Sequence, residues 1–140
     1  MRDLFILVLI LVVSSCGRVG SNLDTPPPRG ASVFAVNEIA PGEALPYVQA
    51  AYSQLVDVRT REEYATGHAA RAINIPLKEL SGRLDRLEKN EPVYVICQSG
   101  RRSKEASDFL SRNGFKWVFN ITGGTDAWRA LGLPMETVLR

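Results

Sequence analysis

The sequence contains few of the side chains that bind metals. Its 140 residues include one histidine, His68, and two cysteines, Cys16 and Cys97. Cys16 is expected to be modified, as described below, so one histidine and one available cysteine remain, too few for the usual four ligands of a zinc site. The sequence also lacks a glycine-rich phosphate-binding motif of the P-loop type. It therefore predicts no metal and no cofactor.

The chain also lacks a strong charge of either sign. Its 17 Lys and Arg residues and 15 Asp and Glu residues leave a net charge of +2 at pH 7. Such a small charge creates no field that would attract nucleic acid or acidic lipid, so we expect no nucleic-acid partner. No internal repeat is visible, and the length suggests one domain.

The longest apolar run is too short to cross a membrane. It covers residues 4–13, ten residues, whereas a spanning helix needs about 20. Ten apolar residues are typical of the core of a secretory signal. The small residues Ser14 and Ser15 before Cys16 resemble a bacterial lipoprotein signal, in which Cys16 becomes the lipidated N-terminus. An ordinary signal peptide cut near Ser15 and an uncleaved anchor remain alternatives.

This interpretation divides the chain into a signal peptide (1–15), a lipidated N-terminus with a flexible linker (16–30) and a folded domain (31–140). The linker contains Gly17, Gly20, Gly30 and the triplet 26–28 of prolines, and nothing in it is periodic. The alternative is an arm packed on the domain. The lipid would bind the protein to a membrane of the cell envelope, facing the periplasm. Gly17, in place of aspartate, suggests the outer membrane if the source is Gram-negative.

Strand-like and helix-like segments alternate through the folded part, which favours an α/β fold with a parallel sheet covered on both faces. Apolar, β-branched runs predict strands at 32–36, 55–58, 72–75, 92–96 and 116–121. Helical patterns begin at Pro41, at Thr60 with Glu63 as its capping partner, and in the stretch that contains Leu77, Leu80, Leu84 and Leu87. Two further helices are predicted at 103–113 and 125–131.

Cys97 ends the strand predicted at 92–96 and stands on a short loop that opens a helix. Open α/β sheets bind ligands at such strand ends, and a helix N-terminus favours an anion and lowers the pKa of a thiol. If the chain is exported, Cys97 is an unpaired thiol in an oxidising compartment, which calls for a functional explanation. We therefore predict that Cys97 is a nucleophile. The alternative is an inert core cysteine.

The loop from Cys97 to Arg102 resembles the six-residue active-site loop of rhodanese-like sulfurtransferases. The resemblance continues through segments in the family's order, at 56–59, 62–64, 67–68, 72–76, 123–128 and 132–134. It implies a small doubly wound domain of about five parallel strands, flanked by helices.

The resemblance also implies a reaction. The Cys97 thiolate attacks the outer sulfur of a small anionic donor such as thiosulfate, releases sulfite and becomes a persulfide. A thiol or cyanide then accepts the sulfur. The loop is expected to bind the substrate through its backbone amides and two arginines; its binding residues are Gln98, Ser99, Gly100, Arg101, Arg102 and Ser103.

Residues outside the loop are expected to support it. The family pattern implies a bracing ion pair at Asp57 and Arg59, and a structural role for His68. Arg71 departs from the family, which often has glycine there; if that position needs a positive φ, arginine is strained. Arg71 would also add a cation near the mouth of the site.

Two other functions compete with sulfur transfer. One is a non-catalytic module that binds a partner or senses sulfur species. The other is a cysteine phosphatase or arsenate reductase, because C-x5-R phosphatases use a related loop. These phosphatases place an arginine six positions after the cysteine, and this chain has Ser103 there. Its own arginine, Arg102, stands five positions after Cys97. A shorter loop makes a smaller cradle, which favours sulfur over phosphate.

Overall fold

The computed structural model describes residues 26–50 and 53–138. The described chain contains seven strands, four α-helices and two 3-10 helices. In order they are β1 (Val36–Ile39), α1 (Pro41–Val48), β2 (Gln54–Asp57), α2 (Arg61–Ala65), β3 (His68–Ala69), β4 (Ile73–Asn74), the 3-10 helices Leu77–Gly82 and Leu84–Arg86, β5 (Val93–Ile96), α3 (Arg101–Arg112), β6 (Val118–Ile121), α4 (Gly124–Ala130) and β7 (Met135–Glu136).

Five strands form one parallel sheet in the order β1-β6-β5-β2-β4. The chain moves outward from β2 to β4, returns to β5, and then continues in the opposite direction to β6. The strand order therefore reverses between β2 and β5, which lie in register with Asp57 opposite Ile96. A crevice at the carboxyl ends of strands flanking such a switch point is the preferred ligand site of open α/β sheets. The predicted fold class is confirmed.

Core side chains cover both faces of the sheet. Along β2 and β5 successive residues alternate between two clusters, so Leu55 and Tyr94 face one layer whereas Val56 and Val95 face the other. The first layer is completed by α1 and α4 and includes the fully buried Trp128. The second is completed by α3 and the 3-10 helices.

The first predicted strand is displaced along the chain. Residues 32–36 were expected to be extended, but β1 begins at Val36. The side chain of Asn37 closes a turn before it, accepting from the Ser32 amide (2.7 Å) and donating to the Ser32 carbonyl (3.0 Å). Phe34 takes a left-handed φ of 53° within this turn, which ends the extended conformation.

The four leucines do not lie on one α-helix. They are distributed over the two 3-10 helices and the residue that follows, with Leu80 and Leu87 buried. Ser81 and Gly82 have low helix propensity, and Arg83 breaks the helical path with φ −129°. The leucines still reach the core, because a 3-10 helix also brings every third residue to one face.

Helices α3 and α4 begin earlier than predicted, by two residues and one residue respectively. Each follows a glycine in the left-handed conformation, Gly100 (φ 96°) and Gly123 (φ 72°). These glycines reverse the chain sharply after the strand, so the helix starts closer to it.

A second, two-stranded sheet was not predicted. His68 and Ala69 in β3 pair antiparallel with Glu136 and Met135 in β7. Two-residue strands are too short to produce an alternating pattern, so the sequence contains no signal for them.

Arg71 takes the left-handed conformation, with φ 69°, as suspected from the family comparison. Its guanidinium donates to the carbonyl of Gln49, and its amide donates to Glu136 Oε2 at 3.2 Å. The cation therefore caps the carboxyl end of α1, where positive charge is favourable. Arg71 was expected to add a cation near the mouth of the site, but its hydrogen bonds among the described residues go to Gln49 and Glu136 and not to the loop that begins at Cys97.

The N-terminal predictions fall mainly outside the described residues. This applies to the signal peptide at 1–15, to Cys16 and to the linker as far as residue 25. Pro28, Arg29 and Gly30 are described, and they line a cleft of about 610 Å³ with Glu38 and Tyr47. Within the described ranges, no helix is both long and apolar enough to cross a bilayer.

Candidate active site

Cys97 lies at the switch point of the sheet, directly after β5. It exposes 1% of its surface, and its Sγ accepts the amide hydrogen of Gly100 at 3.2 Å. The loop wraps the sulfur on the side that faces α3.

Helix α4 orients the peptide groups of this loop. The amide and hydroxyl of Thr125 donate to the Cys97 carbonyl at 2.7 and 3.0 Å, and the Asp126 amide donates to the Gln98 carbonyl at 3.1 Å. In a planar trans peptide the N–H points away from the C=O. Because the Gln98 carbonyl faces α4, the Ser99 amide that shares its peptide plane faces the sulfur.

Glycine makes this contact between α4 and the loop possible. Gly124 has φ +57°, and a Cβ built on it would lie 2.6 Å from the Gln98 carbonyl oxygen. Any side chain at this position would push the helix away from the loop. Gly123 and Gly124 are both left-handed and form the tight turn that brings α4 against the loop.

The surroundings of Cys97 favour its ionised form. Burial alone raises the pKa of the thiol, because it removes water from the charged sulfur. Donors around the sulfur outweigh this effect and bring the pKa below its ordinary value; they are the hydroxyl and amide of Ser103 and the amides of Gly100 and Ser99. Of the predicted amide donors, the Gly100 amide is hydrogen-bonded to the sulfur, and the side chain itself is buried.

Among the donors around Cys97, the Ser103 hydroxyl lowers the pKa of the thiol most. It is completely buried, and it makes no hydrogen bond of ordinary geometry to any described residue. A buried hydroxyl is rarely without a partner, and the only group whose pKa it lowers is the Cys97 thiol. A hydrogen bond from this hydroxyl should form when the sulfur, or a second sulfur attached to it, carries negative charge.

A buried ion pair supports the loop from below. Arg59 Nη2 lies 2.7 Å from Asp57 Oδ2, and both side chains are almost fully buried, with exposures of 2% and 0%. The same guanidinium donates to the Gly67 carbonyl at 2.8 Å and to Gln98 Oε1 at 3.2 Å. The pair connects the end of β2, the turn at Gly67 and the second residue of the loop.

Gln98 is a structural member of the loop. Its side chain accepts from Arg59 and donates to Asp126, so both ends of the amide are engaged. Gln98, one of the predicted binding residues, therefore supports the loop through its peptide group and through these two side-chain hydrogen bonds. Thr125 and Asp126 were not predicted as site residues, although they lie in the segment 123–128 that resembles the family.

The two arginines of the loop differ in their surroundings. Arg102 donates to both carboxylate oxygens of Glu63, at 2.7 and 2.8 Å, and these bonds lower the pKa of Glu63 to about 2. Glu63 also completes the predicted capping box with Thr60. Arg101 is exposed and makes no ion pair with a described residue.

His68 contacts none of the loop residues through its hydrogen bonds. Its ring stacks on Tyr64 with a centroid distance of 3.6 Å, its Nδ1 lies 2.9 Å from the Tyr64 carbonyl, and its Nε2 lies 3.8 Å from Glu136. These contacts hold the β3–β7 pair against α2. In the part of the chain that the structure covers, no group of three metal-binding side chains occurs.

Comparison with known proteins agrees with this geometry. The family model for rhodanese-like domains matches residues 42–131. The chain belongs to the rhodanese-like family. A thiosulfate sulfurtransferase, GlpE, of Actinobacillus pleuropneumoniae serotype 3 is 35% identical over 100 residues, which cover 71% of this chain and 93% of the relative.

Solved rhodanese structures share the fold. The crystal structure of a rhodanese-related protein from Thermoplasma volcanium has a TM-score of 0.65 and 32% identity, covering 71% of this chain and 97% of that one. A structure titled rhodanese with anions, from E. coli, has a TM-score of 0.54 and 37% identity, covering 61% and 98%.

In this rhodanese-like domain the loop does not resemble a phosphate clamp. Phosphatases of the C-x5-R type direct their arginine at the phosphate oxygens, but Arg102 is directed at Glu63. The donors around Cys97 instead converge on the sulfur itself.

A methyl group at Gly124 should disrupt the rhodanese loop. Gly124→Ala adds a steric clash and left-handed strain, so we expect it to lower the free energy of unfolding by about 3 kcal/mol. Gly42→Ala, in α1, is the matched control, because its Cβ would meet nothing within 4 Å. We expect that control to be neutral or slightly stabilising. Denaturant unfolding measures both, and equal stability of the two variants would contradict the packing argument.

The pKa of Cys97 should depend on Ser103 and not on Ser107. In a Cys16→Ser background, which leaves one thiol, iodoacetamide should react with Cys97 with a midpoint pH below that of the unfolded chain. Ser103→Ala removes a donor to the thiolate and should raise this midpoint. Ser107→Ala is the control, since Ser107 is also buried without a partner, one helical turn away. An unchanged midpoint in Ser103→Ala would argue against the role of the hydroxyl.

Proposed function

We propose that this domain is a sulfurtransferase that carries sulfane sulfur on Cys97, taking it from thiosulfate or a similar donor. The observation that carries the proposal is the position of the buried Cys97 sulfur at the switch point of the sheet, where it accepts the Gly100 amide at 3.2 Å and where nearby donors lower its pKa. The relatives named thiosulfate sulfurtransferase support the same reaction class.

The first half-reaction forms a persulfide. The Cys97 thiolate attacks the outer sulfur of thiosulfate, a bond forms between Sγ and that sulfur, and the bond to the sulfite sulfur breaks. The electron pair leaves with sulfite, so the product on the enzyme is an anionic persulfide. The amides that favour the Cys97 thiolate then favour the new terminal sulfur, without rearrangement of the loop.

The second half-reaction returns the thiolate. Cyanide, or the thiolate of an acceptor, attacks the terminal sulfur, and the electron pair of the broken S–S bond goes back to Cys97. Because the two substrates use the same enclosed sulfur in turn, the kinetics should be ping-pong. A thiol this well surrounded by donors is better suited to chemistry than to a passive binding module.

Mass spectrometry of the intact protein tests the intermediate. After incubation with thiosulfate, the chain should gain one sulfur atom, and cyanide should remove it and yield thiocyanate. Cys97→Ser should gain none, whereas Cys16→Ser should gain one as the unchanged chain does. The absence of any adduct would leave a binding or sensing module as the better function, and hydrolysis of a phosphoester would favour the phosphatase.

We also propose that lipidation of Cys16 tethers the domain to the cell envelope, facing the periplasm. The support is the apolar run 4–13 followed by small residues and Cys16, and then a stretch rich in glycine and proline. Several acyl chains on one cysteine would give stable attachment, which a single chain does not.

Metabolic labelling with a fatty acid tests the anchor. Expressed in a bacterium, the full chain should incorporate label and sediment with membranes, whereas Cys16→Ser should lose the label. Cys97→Ser is the matched control and should keep it. An unlabelled soluble protein would favour an ordinary signal peptide, and an unlabelled membrane protein would favour an uncleaved anchor.

A further inference from the structure

We infer that the turn before β1 docks on the surface of a lipid bilayer, so that the loop that begins at Cys97 faces the water phase. The turn presents Val33 and Phe34 side by side, and these two side chains are called the apolar tip. The inference rests on the proposed membrane anchor at Cys16 and goes beyond it, because an anchor alone leaves the orientation of the domain open.

The apolar tip exposes two large side chains next to each other in the chain. Val33 is 44% exposed and Phe34 is 61% exposed. Among the described residues four large apolar side chains are exposed, and the remaining two, Leu131 and Val138, are not adjacent in sequence. Single exposed apolar residues are normal on a protein surface, whereas a contiguous pair favours contact with an apolar partner.

Hydrogen bonds fix the tip in this exposed position. Phe34 has a φ of 53°, which is unusual for a bulky side chain, and its amide donates to the Lys116 carbonyl at 2.9 Å. The Asn37 side chain closes the same turn through the amide and the carbonyl of Ser32. Backbone strain of this kind persists only where surrounding contacts maintain it. Because glycine adopts a positive φ without strain, a phenylalanine here indicates a use for the exposed ring.

The residues beside the tip suit the boundary between lipid and water. Trp117 is half-buried, and Lys116 Nζ lies 5.5 Å from the centroid of its ring. Tryptophan and lysine are both amphipathic and are favoured at this boundary. The Lys116 amide donates to the Lys89 carbonyl at 2.8 Å, and the segment that contains Lys89 also contains Glu88 and Glu91. Since these charges balance, docking depends on apolar insertion and not on anionic lipid.

The length of the proposed tether keeps the tip close to the bilayer. Pro26, the first described residue, comes ten residues after Cys16. A fully extended chain of that length spans about 35 Å. A short tether raises the effective concentration of the domain at the membrane to about the millimolar range, so the insertion of two side chains can be weak and still hold the domain in one orientation.

The tip and the loop that begins at Cys97 lie at opposite ends of the sheet. The tip precedes β1 and Trp117 precedes β6, so both lie at the amino ends of parallel strands. Cys97 follows the carboxyl end of β5, and four residues of strand span about 13 Å. Docking through the tip therefore turns this loop away from the bilayer, where water-soluble donors and acceptors of sulfur reach it.

Quenching of tryptophan fluorescence by spin-labelled lipid tests the docking. The full chain is expressed in a bacterium, purified and added to preformed phosphatidylcholine vesicles with or without a nitroxide near the headgroup. Phe34→Trp places an indole at the tip. Val138→Trp is the matched control, because Val138 is also exposed (52%) but lines a cleft beside α2. Both variants keep Trp117 and Trp128, so the difference between them reports only the added indole.

We expect the lipid nitroxide to quench Phe34→Trp at least about threefold more than Val138→Trp, with less than a twofold change when phosphatidylglycerol is added. Equal quenching of the two variants, in a vesicle-bound chain that carries the fatty-acid label, would overturn the docking and leave the anchor intact. Quenching only with the anionic lipid would rule out apolar insertion. An indole at position 34 that is shielded from acrylamide but not quenched by lipid would indicate a protein partner instead. A soluble, unlabelled chain would remove the anchor and the docking together.

Phe34→Gly separates membrane contact from folding. Because glycine tolerates the left-handed conformation, denaturant unfolding should show little change in stability. The native fluorescence of Trp117 should nevertheless be quenched at least about twofold less by the lipid nitroxide, since the domain loses its insertion at the tip. Val138→Gly is the matched control and should leave the quenching unchanged. A folded Phe34→Gly protein with undiminished quenching would contradict the role of the tip.

Discussion

The environment of Cys97 depends on how α4 holds the carbonyl groups of the loop. Because each peptide is planar, a carbonyl directed at α4 places the N–H of the same peptide on the opposite side, and at Gln98 that side is the one facing the sulfur. The electrostatics of the thiol are therefore set by backbone geometry more than by charged side chains. Gly124 is required because only a residue without a side chain allows the helix to approach so closely.

The Asp57–Arg59 pair shows how the fold stabilises a loop that has little packing of its own. Burying two charges is costly unless their hydrogen-bonding groups are satisfied. Here the guanidinium binds the carboxylate, the Gly67 carbonyl and Gln98, so most of its donors have acceptors. The Asp57–Arg59 pair connects the end of β2 to the residues that follow β5, at the switch point of the sheet. Its hydrogen bonds hold the side chain of Gln98, the second residue of the loop.

Features encoded by local sequence were predictable, and features created by distant contacts were not. The strand before Cys97, the helix after it and the Thr60–Glu63 capping box each occupy a few consecutive residues with a recognisable pattern. The partner of Arg102 is 39 residues away in the chain, and Thr125 reaches Cys97 across 28 residues. Contacts between residues so far apart in the chain leave no periodic pattern in the sequence. The leucine spacing fitted an α-helix as well as 3-10 turns, so only tertiary packing decided between them.

The short β3–β7 sheet links the far end of the described chain to the loop that begins at Cys97. β7 pairs with His68 and Ala69, which directly follow Gly67, and the Gly67 carbonyl is bound by the guanidinium that also binds Gln98. Fraying of β7 would loosen this turn and, through it, one support of the loop. Slow amide hydrogen exchange in residues 68–69 would thus report on the order of the loop that begins at Cys97, with which they share no direct hydrogen bond.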